Sequence, residues 1–134
     1  MTPLILHLIG DYVTQSQYMA ENKTRSSAAA AAHALTYSLP FLILRPSLNA
    51  WLVILVTHFL IDRFSLARYV VWLKNVFFSP HKPCDRNYID RYRWSNCKAT
   101  GYPSDLPPWL SVWLLIAADN TLHLTINSLA LTYL

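Results

Sequence analysis

Residues 48–62 read LNAWLVILVTHFLID. From Ala50 to Ile61 the run is apolar apart from Thr57 and His58, and it closes on Asp62. No glycine or proline interrupts it, so it reads as one uninterrupted helix with apolar surface on nearly every side. Such a helix belongs in a deep core or in lipid. A chain of 134 residues suits one domain, and its composition favours lipid. It is 54% hydrophobic and only 13% charged, where a soluble domain carries about 25% charged residues. Its mean hydropathy is +0.24.

Two further stretches repeat the character of 48–62. Residues 28–44 and 107–131 are long, apolar and almost free of Lys, Arg and Glu. Such stretches, at about 18 residues or more, read as membrane-crossing helices. The expected fold class is therefore all-α: a single integral-membrane domain over 1–134. Its spans are placed at about 3–19, 26–45, 48–64 and 107–131, forming a bundle of about four transmembrane helices. The first span is the weakest, because its second half, VTQSQYM (13–19), is polar for lipid. No basic region precedes it, and His7 and Asp11 interrupt it, so it reads as retained rather than as a cleaved signal.

Local signals punctuate these spans. Ser26 and Ser27 can cap the second. The alanine run 28–32 lets a neighbouring helix approach closely, and Pro40 is expected to kink it. RFSLARYVVWLKNVFF (63–78) mixes Arg63, Arg68 and Lys74 with apolar residues, which suits an amphipathic extension along a membrane surface. Residues 79–106 form a polar loop.

Ten of the 11 Lys and Arg residues fall on alternate connections. The positive-inside rule then puts both termini outside and residues 65–106 in the cytoplasm. Cys84 and Cys97 would be reduced there. The net charge of +4 is explained by orientation, and no nucleic-acid partner is expected. Trp51, Trp109 and Trp113 near span ends fit interfacial anchoring.

A pattern of acids and imidazoles stands out against this background. Of seven Asp and Glu residues, Asp11, Asp62 and Asp119 lie in or at the edge of the apolar segments, and each has a histidine four residues away: His7, His58 and His123. Positions i and i+4 of a helix share a face. His33 adds an imidazole from the remaining span. A carboxylate at mid-membrane costs about 2.5–3.5 kcal/mol even on the lenient insertion scale, so compensation is required. A divalent cation supplies it, and His with Asp suits zinc, with manganese or iron as alternatives. The expected ligand set is His7, Asp11, His33, His58, Asp62, Asp119 and His123. Seven donors exceed one tetrahedral site; they would serve two metals, or one metal with an outer layer of carboxylates. The blander reading makes the Asp–His pairs hydrogen bonds that join helices.

Other residues were weighed beside this set. Gln15 follows Asp11 by four residues and could orient a ligand or bond a neighbouring helix. Arg63 could clamp a phosphate or simply set orientation. Tyr37 and Thr57 read as packing residues. His81, Cys84 and Cys97 make a rival metal pattern of only three ligands with irregular spacing. YIDRYRW (88–94) suits anionic headgroups better than nucleic acid beside a membrane. Haem is disfavoured by the acids next to each imidazole.

The stretches HLIGDYVTQSQYMAENK, HALTYSLPFLIL, THFLIDRFSLARYV and ADNTLHL together resemble a family of small integral-membrane proteins of bacteria and their phages. That family is labelled only as of unknown function and looks related to predicted membrane-bound metal-dependent hydrolases. The resemblance covers nearly the whole chain outside 79–106. The family's pattern falls on His7, Asp11, Gln15, His33, His58, Asp62, Asp119 and His123. A lysine common in the family near Ser65 is replaced here by that serine. The resemblance implies a bacterial inner-membrane location, a helical fold and metal-dependent hydrolysis.

The expected activity is hydrolysis of a lipid or lipid-linked (phospho)ester, with one of Asp11, Asp62 or Asp119 accepting the proton. The alternatives are a metal or proton-coupled carrier, which at this size would need a homo-oligomer, and a non-enzymatic membrane factor that binds a host partner.

Overall fold

The computed structural model describes residues 2–78 and 86–134, the side chains of 86–88 excepted. All regular elements among the described residues are helical. Helix α1 (Thr2–Leu8) runs into a single π-helical turn (Ile9–Val13). Short α2 (Gln17–Asn22) follows, then α3 (Ser27–Ser38), which tightens into a 3-10 turn over Leu39–Leu44. Next come α4 (Leu48–Phe64), α5 (Leu66–Phe78), α6 (Arg86–Arg91), α7 (Trp94–Cys97) and α8 (Pro108–Tyr133).

The helix starts follow from serine caps. Ser16, Ser26 and Ser47 accept hydrogen bonds from the backbone N–H groups of Met19, Ala29 and Ala50. Each serves one of the donors that a first helical turn leaves over. Ser26 is thus the cap expected of the Ser26–Ser27 pair. Pro40 ends the α-helical register as expected: it cannot donate to the carbonyl four residues back. The indole of Trp51 donates to the Ser38 carbonyl at 3.2 Å, so this tryptophan ties α4 to the end of α3 where an interfacial anchor was expected. Arg45 (φ 51°) and Ser65 (φ 50°) take left-handed conformations at the ends of the Leu39–Leu44 turn and of α4.

The chain divides into two compact units, Met1–Ser65 with Thr121–Leu134, and Leu66–Asn120. In the first, α3 packs along α4. Ala29, Ala30 and Ala34 of α3 and Ala50 of α4 are buried, the close approach expected of the alanine run. Leu6, Tyr37, Phe41, Ile54 and Ala130 form its apolar core. On α4 the buried face is Ala50, Ile54, His58, Ile61 and Asp62. The opposite face carries Leu48, Leu52, Val56, Leu60 and Phe64, all exposed. Imidazole and carboxylate therefore point inward while aliphatic side chains point outward, the reverse of a water-soluble helix.

Two helical segments are long and apolar enough to cross a membrane, Ser27–Leu44 and Pro108–Tyr133. Only 11% of the apolar window of α8 is buried, which leaves a large apolar surface exposed. The broken pair Leu48–Phe64 and Leu66–Phe78 makes a third if it is counted as one span. The expected four spans are thus too many. The 3–19 segment loses helical continuity after Val13, where Thr14 to Ser16 separate two short helices. The apolar run of α4 stops at 17 residues, because Ser65 closes it in a left-handed cap.

In the second unit, α5 carries the remaining short helices. The Trp72 indole donates to the Tyr92 carbonyl at 2.9 Å, and Trp94 stacks on Tyr69 with ring centroids 4.7 Å apart. Within YIDRYRW, the Trp94 ring and the Tyr92 backbone carbonyl thus meet α5. Arg91 pairs with Asp105 at 3.1 Å, and Cys97 is buried. Gly101 (φ 79°) packs directly on α5, where an added Cβ would collide with the Arg68 carbonyl oxygen and come within 2.9 Å of Trp72 N. Both its conformation and its contact exclude a side chain. Gly101→Ala should lower stability by roughly 2 kcal/mol or more, read as a fall in the thermal unfolding midpoint of the detergent-purified chain.

Candidate metal centre

Four elements of the first unit aim polar side chains at one point. The turn from α1 into the π turn supplies His7 and Asp11, α3 supplies His33, α4 supplies His58 and Asp62, and α8 supplies His123. All four histidines are at most 1% exposed, and both aspartates are below 9%. Isolated π turns recur at functional sites, and this one carries Asp11. Gly10 makes the approach feasible, since a Cβ there would strike the Tyr37 ring and come within 3.0 Å of the Tyr37 carbonyl.

At the centre lie Asp11 Oδ1, His33 Nε2, His58 Nε2 and Asp62 Oδ2. His33 Nε2 is 3.3 Å from the Asp11 oxygen and 3.2 Å from the Asp62 oxygen. His58 Nε2 is 3.5 Å and 3.2 Å from the same two atoms, and 3.0 Å from His33 Nε2. Zinc bonds to nitrogen and oxygen of about 2.0–2.1 Å imply tetrahedron edges of about 3.3–3.4 Å. Five of the six edges are measured here, and they bracket that length. Asp11 Oδ1 is buried and accepts no hydrogen bond among the described residues, and Asp62 Oδ2 is met by the Lys23 ammonium at 2.9 Å. Buried oxygens normally have partners, so a carboxylate oxygen without one, facing two imidazole nitrogens beside a second carboxylate, fits a cation. This buried cluster of two aspartates and two histidines could hold a metal ion.

The other oxygen of each aspartate meets a flanking histidine. His7 Nε2 is 3.5 Å from Asp11 Oδ2, and His123 Nε2 is 3.5 Å from Asp62 Oδ1. Behind His7, its Nδ1 lies 2.7 Å from the Tyr37 hydroxyl, which accepts from Asn127 Nδ2 at 2.6 Å. With one proton on that hydroxyl, it donates to His7 Nδ1, and His7 then carries its own proton toward Asp11. Behind His123, its Nδ1 lies 3.2 Å from His58 Nδ1. Tyr37 also stacks on His58, with centroids 3.5 Å apart and planes within 13°.

These contacts sort the seven residues expected as ligands. Asp11, His33, His58 and Asp62 converge. His7 and His123 meet the other oxygens of the two aspartates. Asp119 lies one turn before His123 on α8, half-buried, at the end of the second unit. The chain has left the helix at Gln15, so helical spacing does not set its position; its side-chain oxygen is buried. Arg63 donates to the Thr24 carbonyl at 2.6 Å and to Ser27 Oγ at 3.1 Å, bracing the start of α3. Thr57 bonds back to the Val53 carbonyl, as a packing residue does. Of the rival pattern, His81 and Cys84 lie outside the described residues.

Three contributors were not singled out as site residues. Tyr37, read as packing, is also the hydroxyl hub between His7 and Asn127. Asn127 follows His123 by one turn, a spacing that could have flagged it. Lys23, read only as an orientation charge, lies 2.9 Å from Asp62 Oδ2.

Tyr37→Phe removes the hydroxyl that serves two buried partners. It should cost roughly 1–3 kcal/mol in unfolding free energy. The Tyr37→Phe, Asn127→Ala double variant should lose less than the sum of the singles, measured by denaturant unfolding in micelles.

No curated protein and no solved structure matches this chain. A family model described as "Protein of unknown function (DUF3307)" matches residues 1–79. That region holds Asp11, Lys23, His33, His58 and Asp62, whereas the expected resemblance in ADNTLHL lies beyond it. The chain belongs to this family of unknown function, and the four residues that converge on the centre all fall within the part it shares with the family.

Proposed function

We propose that this protein is a membrane-embedded, metal-dependent hydrolase that acts on a lipid or lipid-linked (phospho)ester. The observation that carries the metal part is the set of donor-to-donor distances of 3.0–3.5 Å around one point. Zinc is the cation that best suits two imidazoles and two carboxylates at tetrahedral spacing.

Four protein donors would close a tetrahedral site, and a hydrolytic site needs an open position. Asp62 is the donor suited to stand aside, because Lys23 already holds its Oδ2. His33, His58 and Asp11 then remain, the two-imidazole, one-carboxylate set of catalytic zinc sites. A cation held there supplies an acidified water and a polarised ester oxygen. Asp62, freed but still adjacent, accepts the proton of the attacking water. His123 on its other oxygen, and His7 on that of Asp11, fix the two carboxylates in place.

The outward aliphatic faces of α4 and α8 support delivery of substrate from the bilayer. Orientation rests on the basic residues. With α3, α4 and α8 crossing and residues 2–26 not, the positive-inside rule puts Lys23, Arg25 and the loop after α5 on the cytoplasmic side of a bacterial inner membrane.

Elemental analysis of the detergent-purified full chain tests the metal. About one zinc per chain is expected, and none in the His58→Ala, Asp62→Ala double variant. Asp62→Asn should keep the metal while its hydrolysis of a generic phosphoester falls roughly 100-fold or more. Stoichiometric metal with no ester cleaved by the wild type would overturn the enzyme reading. Absence of metal would overturn the whole proposal.

A further inference from the structure

We propose that the rim of this centre binds a phosphomonoester dianion through Lys23 and the basic turn around it, with the divalent cation of the loaded centre as its second anchor. The inference rests on the metal reading above and narrows its substrate class.

Lys23 stands where the buried acids meet the outside. Its side chain is 21% exposed, against 4% for that of Asp62. The residues after it, Thr24 to Ser26, form the turn into α3, and Arg63 is fastened to that turn through Thr24 and Ser27. Arg25 lies on the same turn. Residues 1–65 contain four basic residues, Lys23, Arg25, Arg45 and Arg63. Three of them gather here, while Arg45 lies at the far end of the α3 segment. Arg63 braces that turn, Lys23 reaches the acids, and Arg25 is exposed near Lys23 in sequence.

Charge counting gives this basic turn a second purpose. With the imidazoles neutral, Asp11, Asp62 and Lys23 sum to −1 − 1 + 1 = −1. A divalent cation brings the same set to −1 + 2 = +1. The loaded centre therefore attracts an anion more strongly than the empty one. Lys23 meets Asp62 Oδ2 at 2.9 Å, so its ammonium stands beside the centre, where an anion on the cation would also reach it. A phosphomonoester suits that placement. Its several oxygens can bridge cation and ammonium at once, and lysine is a common point-charge phosphate binder. The dianion could be a lipid headgroup or a free phosphate, and the chemistry is the same.

Cobalt(II) makes the test optical, since its visible absorption reports the donor set. The full chain in neutral detergent is loaded with cobalt, and the bound cobalt is counted. It is then titrated with inorganic phosphate, or with phosphatidic acid in mixed micelles against a phosphatidylcholine control. The wild-type spectrum should shift with one or both. A response confined to phosphatidic acid assigns the site to lipid phosphate, and a response to both assigns it to the phosphate group itself. Lys23→Met should bind cobalt at the wild-type stoichiometry yet need about tenfold more of the anion or greater, and Lys23→Arg should recover most of the response. Cobalt bound with no spectral change from either phosphate source overturns the anion site alone, as does a Lys23→Met response equal to wild type. Failure of the wild type to bind cobalt overturns the metal reading and this inference with it.

Discussion

Two carboxylate oxygens are buried together, Asp11 Oδ1 without a hydrogen bond among the described residues and Asp62 Oδ2 held by Lys23, and the first unit is built around that constraint. Leaving such groups unsatisfied costs several kcal/mol each. The surroundings answer with four imidazoles, one ammonium and a tyrosine–asparagine pair, drawn from five segments of chain. Each of these groups is committed to the cluster, so the helices that carry them are held in register by polar contacts. The apolar side chains are left to face outward. In lipid this division is sensible, because aliphatic surface gains nothing by turning inward there, and polar contacts between helices take over the task of packing.

Much of the centre was legible because a helix enforces its own geometry. His58 and Asp62 had to share a face once 48–62 was helical, and the absence of any breaker made that reading firm. His33 sits four residues before Tyr37 on the alanine-rich helix, and both face the same interior. The sequence could not show which oxygen of each aspartate would turn to the centre, since that depends on side-chain rotation and on His7 and His123 occupying the other oxygen. It also hid the π turn at Ile9–Val13, whose signature is hydrogen bonding to the carbonyl five residues back, as from Thr14 N–H to the Ile9 carbonyl, not a change in residue type. Lys23 was unreadable for a different reason: its partner Asp62 lies 39 residues away in sequence, and no periodicity links a loop residue to a distant helix.

The number of spans was overestimated for a related reason. Hydropathy sums over a window and does not sense where backbone continuity is lost. Thr14 to Ser16 interrupt the first segment, and the left-handed Ser65 ends α4. Both breaks lie within a few residues of an aspartate of the centre, Asp11 and Asp62 respectively. The chain therefore trades helical length for placement of its acids. The family match over residues 1–79 covers both breaks and all four converging donors. His123 and Asn127, which support the centre from α8, fall outside it.

X-ray absorption at the zinc edge of the loaded, detergent-purified chain tests the central claim most directly. A first shell of nitrogen and oxygen donors at about 2.0 Å, with the outer scattering of two imidazole rings and no sulfur, is the expected result. A sulfur shell near 2.3 Å, or a shell of oxygen alone, would place the ion elsewhere on the chain and contradict the centre described here.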